Sequence, residues 1–157
     1  MAQKCDMDLE REVMDQLKVA MKAKDHKRME ALRAIKSAIL NAKTASERQE
    51  FDEETQLKIL QRLVKQRLDS MQIYQGQNRM DLAEEEELQA KIIAEFLPKQ
   101  LSDEEIEQKI EEIIAKTGAS SMKDMGKVMG LASKEMAGKA NNKTISVLVQ
   151  KKLRSDL

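Results

Sequence analysis

Apolar residues recur at steps of three and four along most of this chain, and that spacing constrains the fold more than any other feature. Leu9, Val13, Leu17 and Met21, with Met14 and Ala20 beside them, are the first such set. Leu32, Ile35, Ile39 and Ala42 are the second, and Leu57, Leu60, Val64, Met71 and Tyr74 the third. A helix turns once in about 3.6 residues, so each set gathers on one face of a helix. Strands would need strict alternation with β-branched and aromatic residues, and sheets would need many tight turns. Aromatics make up only 2% of the 157 residues, and five glycines and one proline are too few for such turns. The chain is therefore expected to be all-α.

Local stop and start signals divide the pattern. Lys22–Asp25 is a polar break, and Asp25 can cap the second helix. Residues 44–50 read as a loop, Asp52 as the cap of a long third helix, and Gly76–Asn78 as its end. A fourth helix follows with Leu82, Leu88, Ile92, Ile93 and Phe96 inward and Glu84–Glu87 largely outward. Pro98, the only proline, falls where that helix should stop. Ser102 and Glu105 form a capping box for a fifth helix with Ile106, Ile110, Ile113 and Ile114 inward, ended by Thr117-Gly118. A sixth helix precedes Gly138, and a seventh buries Ile145, Leu148, Val149 and Leu153. The expected organisation is a four-helix N-terminal domain, residues 1–97, and a three-helix C-terminal bundle, residues 98–157.

The stretch Ser121–Gly138, SMKDMGKVMGLASKEMAG, holds the strongest functional signal. Ser121 is an N-cap candidate with Asp124 three residues on, and Met122, Met125, Met129, Ala132 and Met136 form one apolar face. Gly126 and Gly130 lie close to that face, and each costs about 1 kcal/mol against alanine inside a helix. A missing side chain lets another backbone approach, either a packed helix or a nucleic-acid sugar-phosphate strand. The methionines read as core or as an adaptable groove for a partner.

This stretch also carries a resemblance. Lys123-Asp124-Met125-Gly126-Lys127-Val128-Met129-Gly130, followed by Gly138-Lys139-Ala140, resembles the signature of the YqeY-like family. Leu97-Pro98-Lys99-Gln100-Leu101-Ser102 and Lys65-Gln66-Arg67-Leu68-Asp69-Ser70 match in order, so the resemblance covers nearly the whole chain. The pattern departs at Asn141 and Asn142, which stand where the family has an acidic residue and a glycine. The family shares its C-terminal helical module with the tail of the B subunit of tRNA-dependent glutamyl/aspartyl amidotransferase, where the tail helps hold tRNA. A similar module is attached to some glutaminyl-tRNA synthetases. The resemblance implies association with tRNA and with an amidotransferase or aminoacyl-tRNA synthetase, under a family label of carbon–nitrogen ligase activity with glutamine as amido donor. This chain looks like the tail without the synthase body, which implies no catalysis of its own.

Charge supports a binding role. The net charge is zero, yet residues 81–112 carry twelve acidic against three basic residues, and residues 117–154 carry eight basic against two acidic. The cations of the second segment are Lys123, Lys127, Lys134, Lys139, Lys143, Lys151, Lys152 and Arg154. Lys123, Lys127 and Lys134 can share a side beside the methionines, and Lys139 and Lys143 flank the following turn. This surface would track phosphates without reading bases, because no aromatic residue is there to stack on them. A lysine-rich surface with no ligand is the plainer account.

Catalytic chemistry finds little to work with. There is no glycine-rich phosphate loop and no cluster of metal ligands, so neither cofactor nor metal is expected. His26 reads as a surface or capping residue, and a Cys5–His26 nucleophile pair would require the fold to join them. Ser120 and Ser121 beside Lys123 read as helix caps before an amidase site. Glu84–Glu87 reads as a solvated face, then as a protein-docking surface, then as a water-mediated Mg²⁺ site. A single cysteine, no signal-like N-terminus and no long apolar run predict a soluble cytoplasmic protein with no membrane partner. Two functions stand: a non-catalytic tRNA-binding auxiliary of translation acting through the basic C-terminal bundle, or a protein–protein adaptor acting through residues 81–112 and the third helix.

Overall fold

A computed structural model describes residues 8–45 and 51–155. Cys5 and residues 46–50 of the expected loop lie outside the described residues. Among the described residues seven α-helices run in order: α1 (Leu9–Ala23), α2 (His26–Ala45), α3 (Glu53–Gly76), α4 (Met80–Ala94), α5 (Asp103–Thr117), α6 (Met125–Glu135) and α7 (Asn142–Ser155). One 3-10 turn, Met122–Asp124, precedes α6, and no strand occurs among the described residues. The chain separates into two compact units, Met1–Leu97 and Pro98–Leu157.

The helix ends form where local chemistry dictates. Asp8, Asp25 and Asp52 accept the backbone N–H of Arg11, Arg28 and Thr55 and so cap α1, α2 and α3. Lys24, at φ 54°, turns the chain out of α1, and Asn78, at φ 57°, turns it after α3. The bonds from Phe96 N–H to the Ile93 carbonyl and from Leu97 N–H to the Ala94 carbonyl tighten the end of α4 ahead of Pro98. At α5 both halves of the Ser102–Glu105 capping box are made, and Gly118 closes the helix at φ 67°.

In the N-terminal unit, α1 packs on α2, α2 on α4, and α3 on α4 along most of its length. Leu9, Val13, Ala31, Leu32, Ile35, Ile39, Leu60, Ile92 and Ile93 form its core. Two buried glutamines stitch it. Gln56 accepts the Leu9 N–H at 3.1 Å and donates to the Phe51 carbonyl at 3.3 Å, fixing the start of α1 against α3. Gln89 donates to the Lys27 carbonyl at 3.1 Å, joining α4 to the first turn of α2.

Several inward assignments shift by one residue. Met21 is 54% exposed, and Ala20 takes the inward place after Leu17. Leu88 is 36% exposed, Leu82 is half-buried, and Ala83, Gln89 and Ala90 line the inner face of α4. Ala42, Val64, Met71 and Tyr74 are half-buried. Repeated steps of four drift about 40° each around a helix, so a step of three must restore the face. Beyond Val64 the α3–α4 pair also runs past the core formed with α1 and α2, so its apolar side chains are covered from one side only.

In the C-terminal unit α5, α6 and α7 pack pairwise around Ile106, Ile110, Ile113, Val128, Ala132, Met136, Ile145, Val149 and Leu153. Ile114, Met125, Met129 and Leu148 pack half-buried against that core. The linker is pinned to the α6–α7 turn: Leu101 N–H donates to the Lys139 carbonyl at 2.9 Å, and Gln100 Nε2 to the Gly138 carbonyl at 2.8 Å. Gly138 is buried at φ 75°, a conformation costly to any residue with a Cβ.

Candidate nucleic-acid interface

The stretch Ser121–Gly138 divides into two pieces where one helix was expected. Ser121 Oγ accepts the Lys123 N–H and starts the 3-10 turn, while the Asp124 carboxylate takes the Ser120 N–H at 3.0 Å. The inward face of α6 is Val128, Ala132 and Met136. Met125 and Met129 are half-buried beside it, and Met122 is 37% exposed. Val128, omitted from the expected methionine face, lies four residues before Ala132 and eight before Met136, so its period was there to be found.

The glycines point the other way. Gly126 and Gly130 are exposed, and a Cβ built on either would meet no atom within 4 Å beyond the helix itself. Among the described residues, then, no neighbouring helix of this chain packs against them. Two glycines on the outer face of an eleven-residue helix weaken it with no packing gain inside the unit.

Lysines frame that bare strip. Lys127 and Lys134 are exposed and seven residues apart, hence on nearly the same line of α6. They lie on the glycine side, opposite Val128 and Ala132, and not beside the methionines as the spacing had suggested. Lys123 is exposed on the 3-10 turn, and Lys139 is exposed at the α6–α7 turn. Lys143 is exposed in the first turn of α7, whose cap is Asn141: its Oδ1 accepts the Lys143 N–H at 2.9 Å. Asn141 thus performs the capping that an acid could perform at this place, without the charge.

None of Lys123, Lys127, Lys134, Lys139 and Lys143 has an ion-pair partner among the described residues. Lys152 differs, reaching Glu111 on α5 at 2.5 Å. On α7, Lys143, Val147, Lys151 and Arg154 follow at steps of four, four and three and are all exposed. Sequence projection of the basic end had not separated this outer line from the inward-turned Lys152, although the spacing contains it. Residues 98–157 hold no aromatic side chain. The surface can attract phosphates but cannot stack bases.

Elsewhere, His26 is exposed in the first turn of α2. Glu84, Glu85 and Glu87 point outward, while Glu86 is half-buried and 3.4 Å from Arg67. Among the described residues no group of His, Cys, Asp or Glu is arranged to hold a metal, and no helix is long and apolar enough to cross a membrane.

Residues 10–153 match the family described as Yqey-like protein, which takes in both units. The chain belongs to the YqeY-like family. This YqeY-like chain is also similar to yeast proteins named Altered inheritance of mitochondria protein 41, mitochondrial. It is 36% identical to the one from Vanderwaltozyma polyspora over 115 residues, covering 69% of this chain and 62% of the relative. With the one from Clavispora lusitaniae it shares 39% identity over 97 residues, covering 60% and 55% of the two proteins. The YqeY-like chain therefore spans less than two thirds of the length of either relative.

Proposed function

We propose that this protein is a tRNA-binding auxiliary that acts without catalysing a reaction itself, placing tRNA for a glutamine-dependent amidotransferase or an aminoacyl-tRNA synthetase. The observation that carries this reading is the outer face of α6, where Gly126 and Gly130 stand in open space among lysines that have no carboxylate partner among the described residues. A glycine strip lets a sugar-phosphate backbone come close to the helix, and the flanking ammonium groups release counterions as phosphates replace them. Lys139 and Lys143 extend the positive surface across the turn into α7. Without aromatic or bidentate arginine contacts on α6, discrimination would follow the shape of folded RNA more than its sequence. The relatives' names place those proteins in mitochondria; this reading asks only for a compartment that contains tRNA, of which the cytoplasm is one.

Titration with bulk tRNA at two salt concentrations tests it. The expected result is weak, salt-sensitive binding and no glutamine hydrolysis by the purified protein. Changing Lys123, Lys127 and Lys134 to glutamine removes three phosphate contacts and should lower the salt slope by about 2–3 for a duplex-like arm. No binding at the lower salt would sink the proposal and favour an adaptor acting through the acidic helices.

A further inference from the structure

Outside the basic surface, the strongest unexplained feature is the outer line of α4. Met80, Glu84 and Leu88 succeed one another at steps of four, and Met80 and Leu88 are 50% and 36% exposed. Asp81, Glu85 and Glu87 are exposed around them. Asp81 is held by Arg79 at 3.1 Å and Glu87 by Lys91 at 3.3 Å, whereas Glu84 and Glu85 have no ion-pair partner among the described residues. This is an acidic strip with apolar studs. The outer line of α7 is its inverse: Lys143, Lys151 and Arg154 around Val147, which is 58% exposed.

The two patterns register. Laid antiparallel with Leu88 on Val147, Glu84 meets Lys151 one turn away and Asp81 meets Arg154 two turns away. The acids lie toward the N-terminus of α4, and Lys151 and Arg154 toward the C-terminus of α7, so these charges suit the dipoles of their own helices. We propose that the outer face of α4 docks α7 of a second copy of this chain, in a head-to-tail contact. Such a contact is heterologous, so it grows into larger assemblies unless a ring closes. Individual surface ion pairs contribute little, so association is weak and disappears as the screening length falls from about 10 Å at 0.1 M salt to about 3 Å at 1 M. It uses Lys151 and Arg154, which the tRNA reading does not require.

Sedimentation of the full chain tests it. At low salt the weight-average mass should rise with concentration, and at 1 M salt it should stay that of the monomer. The variants Glu84→Lys/Glu85→Lys and Lys151→Glu/Arg154→Glu alter exposed positions only, and circular dichroism checks their folding; Lys151→Gln/Arg154→Gln serves if the reversal unfolds α7. Each variant alone should associate at least tenfold more weakly. A 1:1 mixture should regain association, because each variant then meets its opposite charge on the other. A mass that never rises, association that survives either reversal, or a mixture that stays monomeric would each overturn the proposal. The Glu84→Lys/Glu85→Lys variant should keep its tRNA titration, so loss of self-association and failure of the tRNA reading are seen separately.

Discussion

In the N-terminal unit seven of the long cationic side chains end on carboxylates of the same unit among the described residues. Arg28 reaches Glu95, Lys43 reaches Glu10, Lys65 reaches Asp69, and Arg67 reaches Glu86. In the C-terminal unit Lys152 alone does so among the described residues. The side-chain caps differ too: Asp8, Asp25 and Asp52 start the first three helices, while the neutral Ser102, Ser121 and Asn141 start α5, the 3-10 turn and α7, with Asp124 ahead of α6 making no cap bond to that helix. Exposed ion pairs contribute about 0–1 kcal/mol each, so the difference is not one of stability. It is one of field. The first unit pairs more of its cations locally than the second, where Lys152 is the one paired cation among the described residues. Both units rest on the same kind of apolar core, so the cores do not explain why one would bind a polyanion and the other would not.

The sharpest way to break this comparison is to damage one core and watch the other. Ile35 and Ile110 are both fully buried, one in each unit. Truncation of either to alanine should cost about 2–5 kcal/mol. If the units fold independently, as the boundary at Leu97–Pro98 leads us to propose, Ile35→Ala lowers one thermal transition and leaves the other in place, with Ile110→Ala doing the reverse. A single transition moved equally by both substitutions would show one cooperative body.

Two glycines give the next largest effect, with opposite signs. Gly138→Ala forces a Cβ into a buried site at φ 75° and should cost about 1–2 kcal/mol. Gly130→Ala meets open space in a helical residue and should stabilise by about 0.5–1 kcal/mol. Denaturant melts measure both. If Gly130→Ala stabilises the fold and weakens tRNA binding, the glycine is kept for its ligand; if it destabilises, the open face has an unrecognised structural role.

The smallest effect concerns the caps. The hydrogen bond to the Thr55 side chain, then that from its backbone N–H, holds the Asp52 carboxyl below the ordinary carboxylate range. A folded-state value below the unfolded one means the contribution is complete at neutral pH and vanishes as pH falls through the folded value. Asp52→Asn keeps a capping side chain but cannot titrate. Its thermal midpoint should match that of the unaltered protein in acid and fall slightly below it at neutral pH. Asn141, an amide cap in the other unit, provides no such acid-dependent step.

Most of the helical framework was legible in the residues. Asp25, Asp52, Ser102, Gly118 and Pro98 act through neighbours within four positions, so their signals survive without knowledge of the fold. The candidate interface was legible in composition but not in arrangement. Lys127, Lys134 and the two glycines could be read as a basic, thinned helix, yet the spacing placed them beside the methionines and left a packed helix and a nucleic-acid strand both open as the glycines' neighbour. The buried Gln56 and Gln89 could not be read at all, because their partners Leu9 and Lys27 are 47 and 62 residues away.

By itself the sequence determined that this chain is helical, where most helices begin and end, and that its basic residues collect toward the C-terminus. Those properties depend on period, capping and composition, which are local or additive. Only the tertiary structure decided that Ala20 turns inward before Met21, that Lys152 meets Glu111 while Lys151 faces outward, and that Gly126 and Gly130 have no neighbour beyond their own helix among the described residues. Each depends on what lies across from a side chain, and a helix fixes the direction of its side chains but not what they will meet.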